Sequence, residues 1–170
     1  MGALEKGLRP LGILCFSSSP DDILMWSHYS CYHSGIVLRF SKEEILSYFP
    51  NCKDVTYEDD FPKVKEYNSA IKRNNDDIHK MFLLRKSDRW RYEGEWRAFI
   101  EPQKRQDYTG SRLVKFPKEM IKAVIYGCEM RDEDKLTIDK LHKEKLTEMV
   151  VYNAVRDVKS FGLRIEQISR

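Results

Sequence analysis

Short apolar runs, none long and each closed off by turn-forming residues, constrain this chain more than any other feature. Leu11 to Phe16, Gly35 to Phe40, Lys53 to Glu58, Glu93 to Glu101, Leu113 to Phe116, Ile121 to Tyr126, Val150 to Val155 and Leu163 to Ile168 each have the length and the β-branched or aromatic content of a strand. Helical spacing intervenes in only a few places. Ser19-Pro20-Asp21-Asp22 predicts a helix entry, with Ser19 as N-cap and Pro20 in the first turn, for a helix running from about Pro20 to Ser30. Ser41 to Glu44 has capping-box spacing and opens a helix reaching about Phe49. Tyr67 to Arg85 and Asp132 to Leu146 supply two more, the former with a polar middle from Arg73 to Asp77. This order is neither regular β-α-β alternation nor all β. It predicts an α+β domain with a mixed, mostly antiparallel twisted sheet of about six to eight short strands and three or four helices.

At 170 residues the chain has the size of one domain, and no linker or repeat divides it, so residues 1–170 read as one domain with 1–10 as a disordered or truncated leader. Thirty Lys and Arg against 27 Asp and Glu leave a net charge of +3, too small for a dedicated nucleic-acid binder. The cations concentrate between Lys80 and Arg97, where six of them mix with Trp90, Tyr92 and Trp96. Four cysteines with no C-x-x-C pair suit reduced thiols, and no run approaches the length of a membrane span. The protein therefore reads as cytoplasmic, with no membrane partner.

Two groups of residues carry candidate chemistry. In Tyr92-Glu93-Gly94-Glu95-Trp96-Arg97, strand pleating places Glu93, Glu95 and Arg97 on one face and Trp96 and Ile100 on the other. Two carboxylates held beside a guanidinium can orient a ribose or stabilise a cationic transition state; on an open strand the same pattern is only a ladder of ion pairs. In Trp26-Ser27-His28-Tyr29, apolar residues surround most of the helix, which predicts deep burial and places His28 among apolar neighbours. A histidine there is either a satisfied core residue or an acid/base partner for Glu95. His28, Cys31 and His33 lack the second ligand pair of a structural zinc site, so no metal is assigned.

ILCFSSSPDDILMWSHYSCYHSGIVLRF and KSDRWRYEGEWRAFI resemble an uncharacterised bacterial family known only as a domain of unknown function. The likeness extends to IKAVIYG near the C-terminus. Family members carry several tens of residues before the CFS block, and only about a dozen stand here. The resemblance implies a bacterial or phage setting and, by association, genome defence.

Ser17-Ser18-Ser19 at a strand end followed by Glu93-Gly94-Glu95 also resembles the Ser-rich strand and Glu-x-Glu element of mono-ADP-ribosyltransferases, with Arg9 upstream. That resemblance implies a nucleotide such as NAD as substrate, with Glu95 catalytic and the Ser strand at Ser17 organising the pocket; with the two groups of residues above, the expected site has Glu95, Glu93 and His28 as catalytic residues and Ser17, Trp26, Tyr29, Trp90, Tyr92 and Arg97 as substrate contacts. In that family the final glutamate holds the nicotinamide ribose. The alternative is a non-catalytic module that binds nucleotides, single-stranded nucleic acid or protein through the aromatic and basic stretch from Lys80 to Arg97. An uncovered sheet edge would also allow a homodimer.

Overall fold

The computed structural model describes residues 11–61, 63, 82–100 and 113–168. Its described residues form nine strands, three α-helices and two 3-10 helices, and residues 82–83 are helical as well. The α+β expectation holds, with antiparallel pairs predominating. The strands divide among three sheets, and the chain clusters into two compact units. No described helix is long and apolar enough to cross a membrane.

The first unit takes residues up to Ser18 and Phe49–Leu113. Strand β1 (Gly12–Ser17) pairs antiparallel with β6 (Glu95–Ile100), whose other edge takes the two-residue β3 (Lys53–Asp54). A separate parallel pair joins β4 (Thr56–Tyr57) to β5 (Arg85–Lys86). The strand expected over 53–58 is thus split at Val55, which is buried and donates its N–H to Glu95 O at 2.9 Å. Leaving the ladder at that residue lets the chain turn from one sheet to the other. A 3-10 helix, Asp88–Glu93, leads into β6 through Gly94. The helix expected over 67–85 lies outside the described residues except at its end, as do Arg9 and the rest of the leader.

Gly94 has φ +50°, and a Cβ there would stand 2.3 Å from Ser18 Oγ. Only glycine accommodates both the left-handed backbone and that approach.

The second unit takes Ser19–Tyr48 and Val114–Arg170. Its four-stranded sheet has the order β2 (Ile36–Phe40), β7 (Ile121–Tyr126), β8 (Val150–Arg156), β9 (Leu163–Gln167). The central pair β7–β8 is parallel and its flanking pairs are antiparallel. A parallel pair needs a crossover connection, supplied here by α3 (Asp132–Lys145), which Tyr126 Oη ties to the sheet by donating to Asp139. Ala123, Val124, Ile125 and Tyr126 are all buried, as a central strand covered on both faces requires. Val124, Tyr126, Met130, Met149 and Val151 form one apolar cluster; Trp26, Ile125, Ala154 and Leu163 form another.

Helix α1 (Ile23–Tyr29) departs from expectation in two ways. Its N-cap is Asp22, not Ser19: one Asp22 carboxylate oxygen accepts from the N–H groups of both Leu24 and Met25 at 2.9 Å. Pro20 lies before the helix, where its carbonyl accepts from Trp26 Nε1 at 2.7 Å. Nor is the helix deeply buried. Trp26 alone among its residues is buried, while Leu24 and Tyr29 are exposed and so is His28. Two turns present one stripe to the sheet, and Trp26 fills it; the other apolar side chains face outward.

Beyond α1, Cys31, Tyr32 and His33 all have positive φ, at 48°, 53° and 68°. His33 O accepts from Glu129 N–H and Gly35 O from Gly127 N–H, both at 3.0 Å, and these bonds hold the left-handed run in place. Helix α2 (Lys42–Tyr48) follows β2 as expected, with Glu44 N–H 3.4 Å from Ser41 Oγ. Residues 113–117 form no strand and lead instead to a short 3-10 helix, Lys118–Met120, because Pro117 has no N–H to offer a ladder.

Candidate functional site

The first unit buries charge where a small domain would ordinarily place aliphatic side chains. Glu93 is 2% exposed and Glu95 is 7% exposed. The open ladder of surface ion pairs is therefore excluded. Glu93 does not lie on the strand, as pleating had suggested; it closes the 3-10 helix, and β6 starts at Glu95. The two carboxylates meet because Lys86, on β5, reaches both: its ammonium donates to Glu93 Oε2 and, at 3.1 Å, to Glu95 Oε2.

Arg97 sits two residues along the same strand face from Glu95, as the alternation predicts. It grips the carboxylate as a fork, Nε to Oε1 at 2.8 Å and one terminal nitrogen to Oε2 at 2.9 Å, and its other terminal nitrogen donates to Leu83 O. The Glu95 backbone N–H donates to Tyr57 Oη at 2.8 Å. Cys15 is the register partner of Arg97 across the β1–β6 ladder, and its thiol lies within electrostatic reach of the Glu95 carboxylate. A carboxylate has about four lone-pair sites. Two bonds from Arg97 and one from Lys86 occupy three of them.

Electrostatics follow from this packing. Burial pushes the Glu95 carboxyl up, but the Arg97, Cys15 and Lys86 side chains together outweigh it and hold the group at about 2. Burial likewise disfavours the Lys86 ammonium, and its two glutamates more than restore it, so its pKa is raised. Desolvation, then the neighbouring Glu95, pushes the Cys15 thiol up to about 11. Glu95 is thus ionised throughout the physiological range. It is suited to electrostatic work and unsuited to donating a proton.

The Ser-rich segment lies against this cluster. Ser17 is the register partner of Glu95, and Ser17 Oγ donates to Glu93 O at 2.6 Å. Ser18 N–H donates to Gly94 O at 3.2 Å. On the 3-10 helix, Trp90 is exposed; its ring lies 6.0 Å from that of Tyr92, and Lys86 Nζ lies 5.1 Å from the Trp90 centroid.

The structure thus brings together Ser17, Glu93, Glu95 and Arg97, with Trp90 and Tyr92 joined to them through Lys86. Trp26, His28 and Tyr29 belong to the second unit, where His28 lies exposed on α1 beside Tyr29, rings 6.3 Å apart. The apolar surroundings expected for His28 are absent because its helix buries only Trp26. Among the described residues no three His, Cys, Asp or Glu are grouped closely enough to hold a metal ion.

Sequence reasoning gave Lys86 only a share in the basic stretch from Lys80 to Arg97, and gave no role in the site to Tyr57 or Cys15. Lys86 begins the KSDRWRYEGEWR block, a usable signal, since a lysine shortly before two buried glutamates is their nearest source of compensation. Cys15 and Tyr57 join only through strand pairing and gave no local sign.

Residues 25–98 match the family described as protein of unknown function, DUF2971. The match contains the WSHY block and runs through WRYEGEWRA, the segments that carried the resemblance to an uncharacterised family. It includes Lys86, Glu93, Glu95 and Arg97, so the buried charges fall inside the DUF2971 region. No curated protein and no solved structure matches the chain. The likeness to ADP-ribosyltransferases finds no support in these comparisons.

Proposed function

We propose that the first unit is an enzyme site for a pyridine nucleotide such as NAD, and that the bond broken is the N-glycosidic link between ribose and nicotinamide. One observation carries this reading: antiparallel pairing sets the end of the Ser-rich strand against the Glu-x-Glu segment, with Ser17 opposite Glu95. Residues 78 positions apart in sequence, which resemble two elements of one nucleotide site, are neighbours in space.

In the proposed step, nicotinamide leaves as a neutral base with the electron pair of the broken bond, and the ribose carbon becomes oxocarbenium-like. Glu95 stabilises that cation without exchanging a proton, which fits a carboxyl held at about 2. Water then adds to the same carbon and releases a proton to solvent. Glu95 is only 7% exposed, so for a ribose hydroxyl to reach it one of its present partners must give way. Lys86 is more exposed than Arg97, at 20% against 16% of its side chain, and holds Glu95 by one bond against two. It is the partner most cheaply displaced. His28 has no part in this step.

Nicotinamide release from NAD by the full chain tests the proposal. Wild type is expected to release it, and Glu95→Gln to lower the rate at least about 100-fold while circular dichroism stays unchanged. Absence of release by wild type, or equal rates in the two proteins, overturns the reading.

A further inference from the structure

Five cations of the stretch from Lys80 to Arg97 are described, and four have work within the first unit. Arg85 pairs with Glu58 at 3.2 Å, Lys86 with both buried glutamates, Arg91 with Asp88, and Arg97 with Glu95. Arg91 also lies 5.5 Å from the Tyr57 ring. Arg89 differs: it is exposed and makes no ion pair or hydrogen bond among the described residues. The next residue is Trp90, 37% exposed, large for an indole that the fold holds so firmly. Its N–H donates to Ser87 O at 3.0 Å, its ring meets Lys86 and Tyr92, and Lys86 is itself anchored on the buried carboxylates.

We infer that Arg89 and Trp90 form a mononucleotide subsite, in which the indole stacks on the base and the Arg89 guanidinium takes the phosphate. Stacking on an aromatic ring beside a free cation is the chemistry by which proteins hold bases and their phosphates. Preorganisation favours it, since the ring is fixed before the ligand arrives and little side-chain freedom is lost on binding.

The platform is one base wide. Tyr92 is half-buried and tilted 36° to Trp90, so it backs the indole instead of offering the next step to a strand. Proteins that track single strands place successive rings for successive bases. A free nucleotide, or one half of a dinucleotide, is therefore the ligand. The subsite goes beyond the proposed reaction and does not need its chemistry: it holds a nucleotide whether or not Glu95 promotes bond cleavage.

Calorimetric titration of the full chain with AMP tests this. Wild type is expected to bind AMP, Trp90→Ala to weaken binding about tenfold or more, and Trp90→Phe, which keeps a stacking face, to recover most of the loss. Arg89→Ala is expected to weaken AMP binding several-fold, flatten its salt dependence, and leave adenosine binding unchanged, since adenosine has no phosphate. Arg131→Ala, a surface cation of the second unit, serves as the control and is expected to change nothing. The inference is overturned if folded wild type binds no AMP at about 10 mM, if Trp90→Ala binds as wild type does, or if an eight-nucleotide oligoadenylate binds far more tightly than AMP through the same residues, which would make the ligand a strand. Nicotinamide release is read separately through Glu95→Gln, so either result can fail alone.

Discussion

The two units bury opposite things. In the second, a central strand with four consecutive buried apolar residues packs beside methionines and valines, and Tyr126 adds a polar tie to Asp139. In the first, the centre of β6 starts with a buried glutamate whose charge is balanced by Arg97 and Lys86. An apolar core gains from each methylene removed from water, whereas an enclosed ion cluster recovers its desolvation cost only while every member is present. The second unit should therefore tolerate truncation gradually. The first should lose stability in one large step when a charged member is truncated.

The largest expected effect tests that contrast directly. Glu95→Ala leaves two cations enclosed without their shared partner and should lower unfolding free energy by about 3–5 kcal/mol. Val151→Ala in the second unit should cost about 1–3 kcal/mol, the loss of two methyl groups and the space they filled. Urea unfolding measures both, and a Glu95 cost below that of Val151 would break the comparison.

The glycines come next. Gly94→Ala brings a Cβ against the Ser18 hydroxyl in a left-handed backbone and should cost about 1–3 kcal/mol, part of which Ser18→Gly restores by removing the hydroxyl. Gly127→Ala would place its Cβ 2.0 Å from the backbone oxygen of His33, so no side-chain change at His33 relieves it. Double-mutant melting separates the two cases.

The acid limb sharpens the contrast further. Glu95 is held at about 2 against an ordinary 4.5, so the folded carboxyl binds its proton less readily than the unfolded one. Its stabilisation is complete above the unfolded value and is lost as pH falls from about 4.5 toward 2, on the order of 2–3 kcal/mol. Glu95→Gln should flatten this part of the stability curve, and carbon-detected NMR of the Glu95 carboxyl should show the low midpoint in wild type.

The smallest effect is chemical. With its thiol raised to about 11, Cys15 should alkylate at pH 8 roughly 100-fold more slowly in the folded protein than in urea, despite its exposed position on β1. Mass-spectrometric labelling against time reads the ratio.

Most strands and the helices at 42–48 and 132–145 were legible because period-2 and helical patterning act locally. The register of β7, from Ile121 to Tyr126, agrees with its apolar run residue for residue. The helix start at Asp22 was obscured by Ser19-Pro20, an equally good opening signal whose donors the backbone did not need. Burial around α1 was overestimated because periodicity records which residues are apolar and not how many faces the fold covers; seven residues against one sheet cover one. In the candidate site, alternation along β6 correctly paired Glu95 with Arg97. It missed Lys86, because nothing local connects a lysine on a two-residue strand to glutamates beyond a 3-10 turn.

Neither unit is a continuous piece of chain. β1 is made early, yet it has no partner until β6 exists, and between them the polypeptide leaves to contribute α1, β2 and α2 elsewhere. During synthesis the Cys15 segment must wait for Glu95, and no truncation yields one unit whole without a stretch of the other: a chain ending at residue 113 keeps both segments of the first unit but carries 19–48 with them. The region matched by DUF2971 crosses the same seam, so point substitution, and not dissection, is the route by which this molecule can be taken apart.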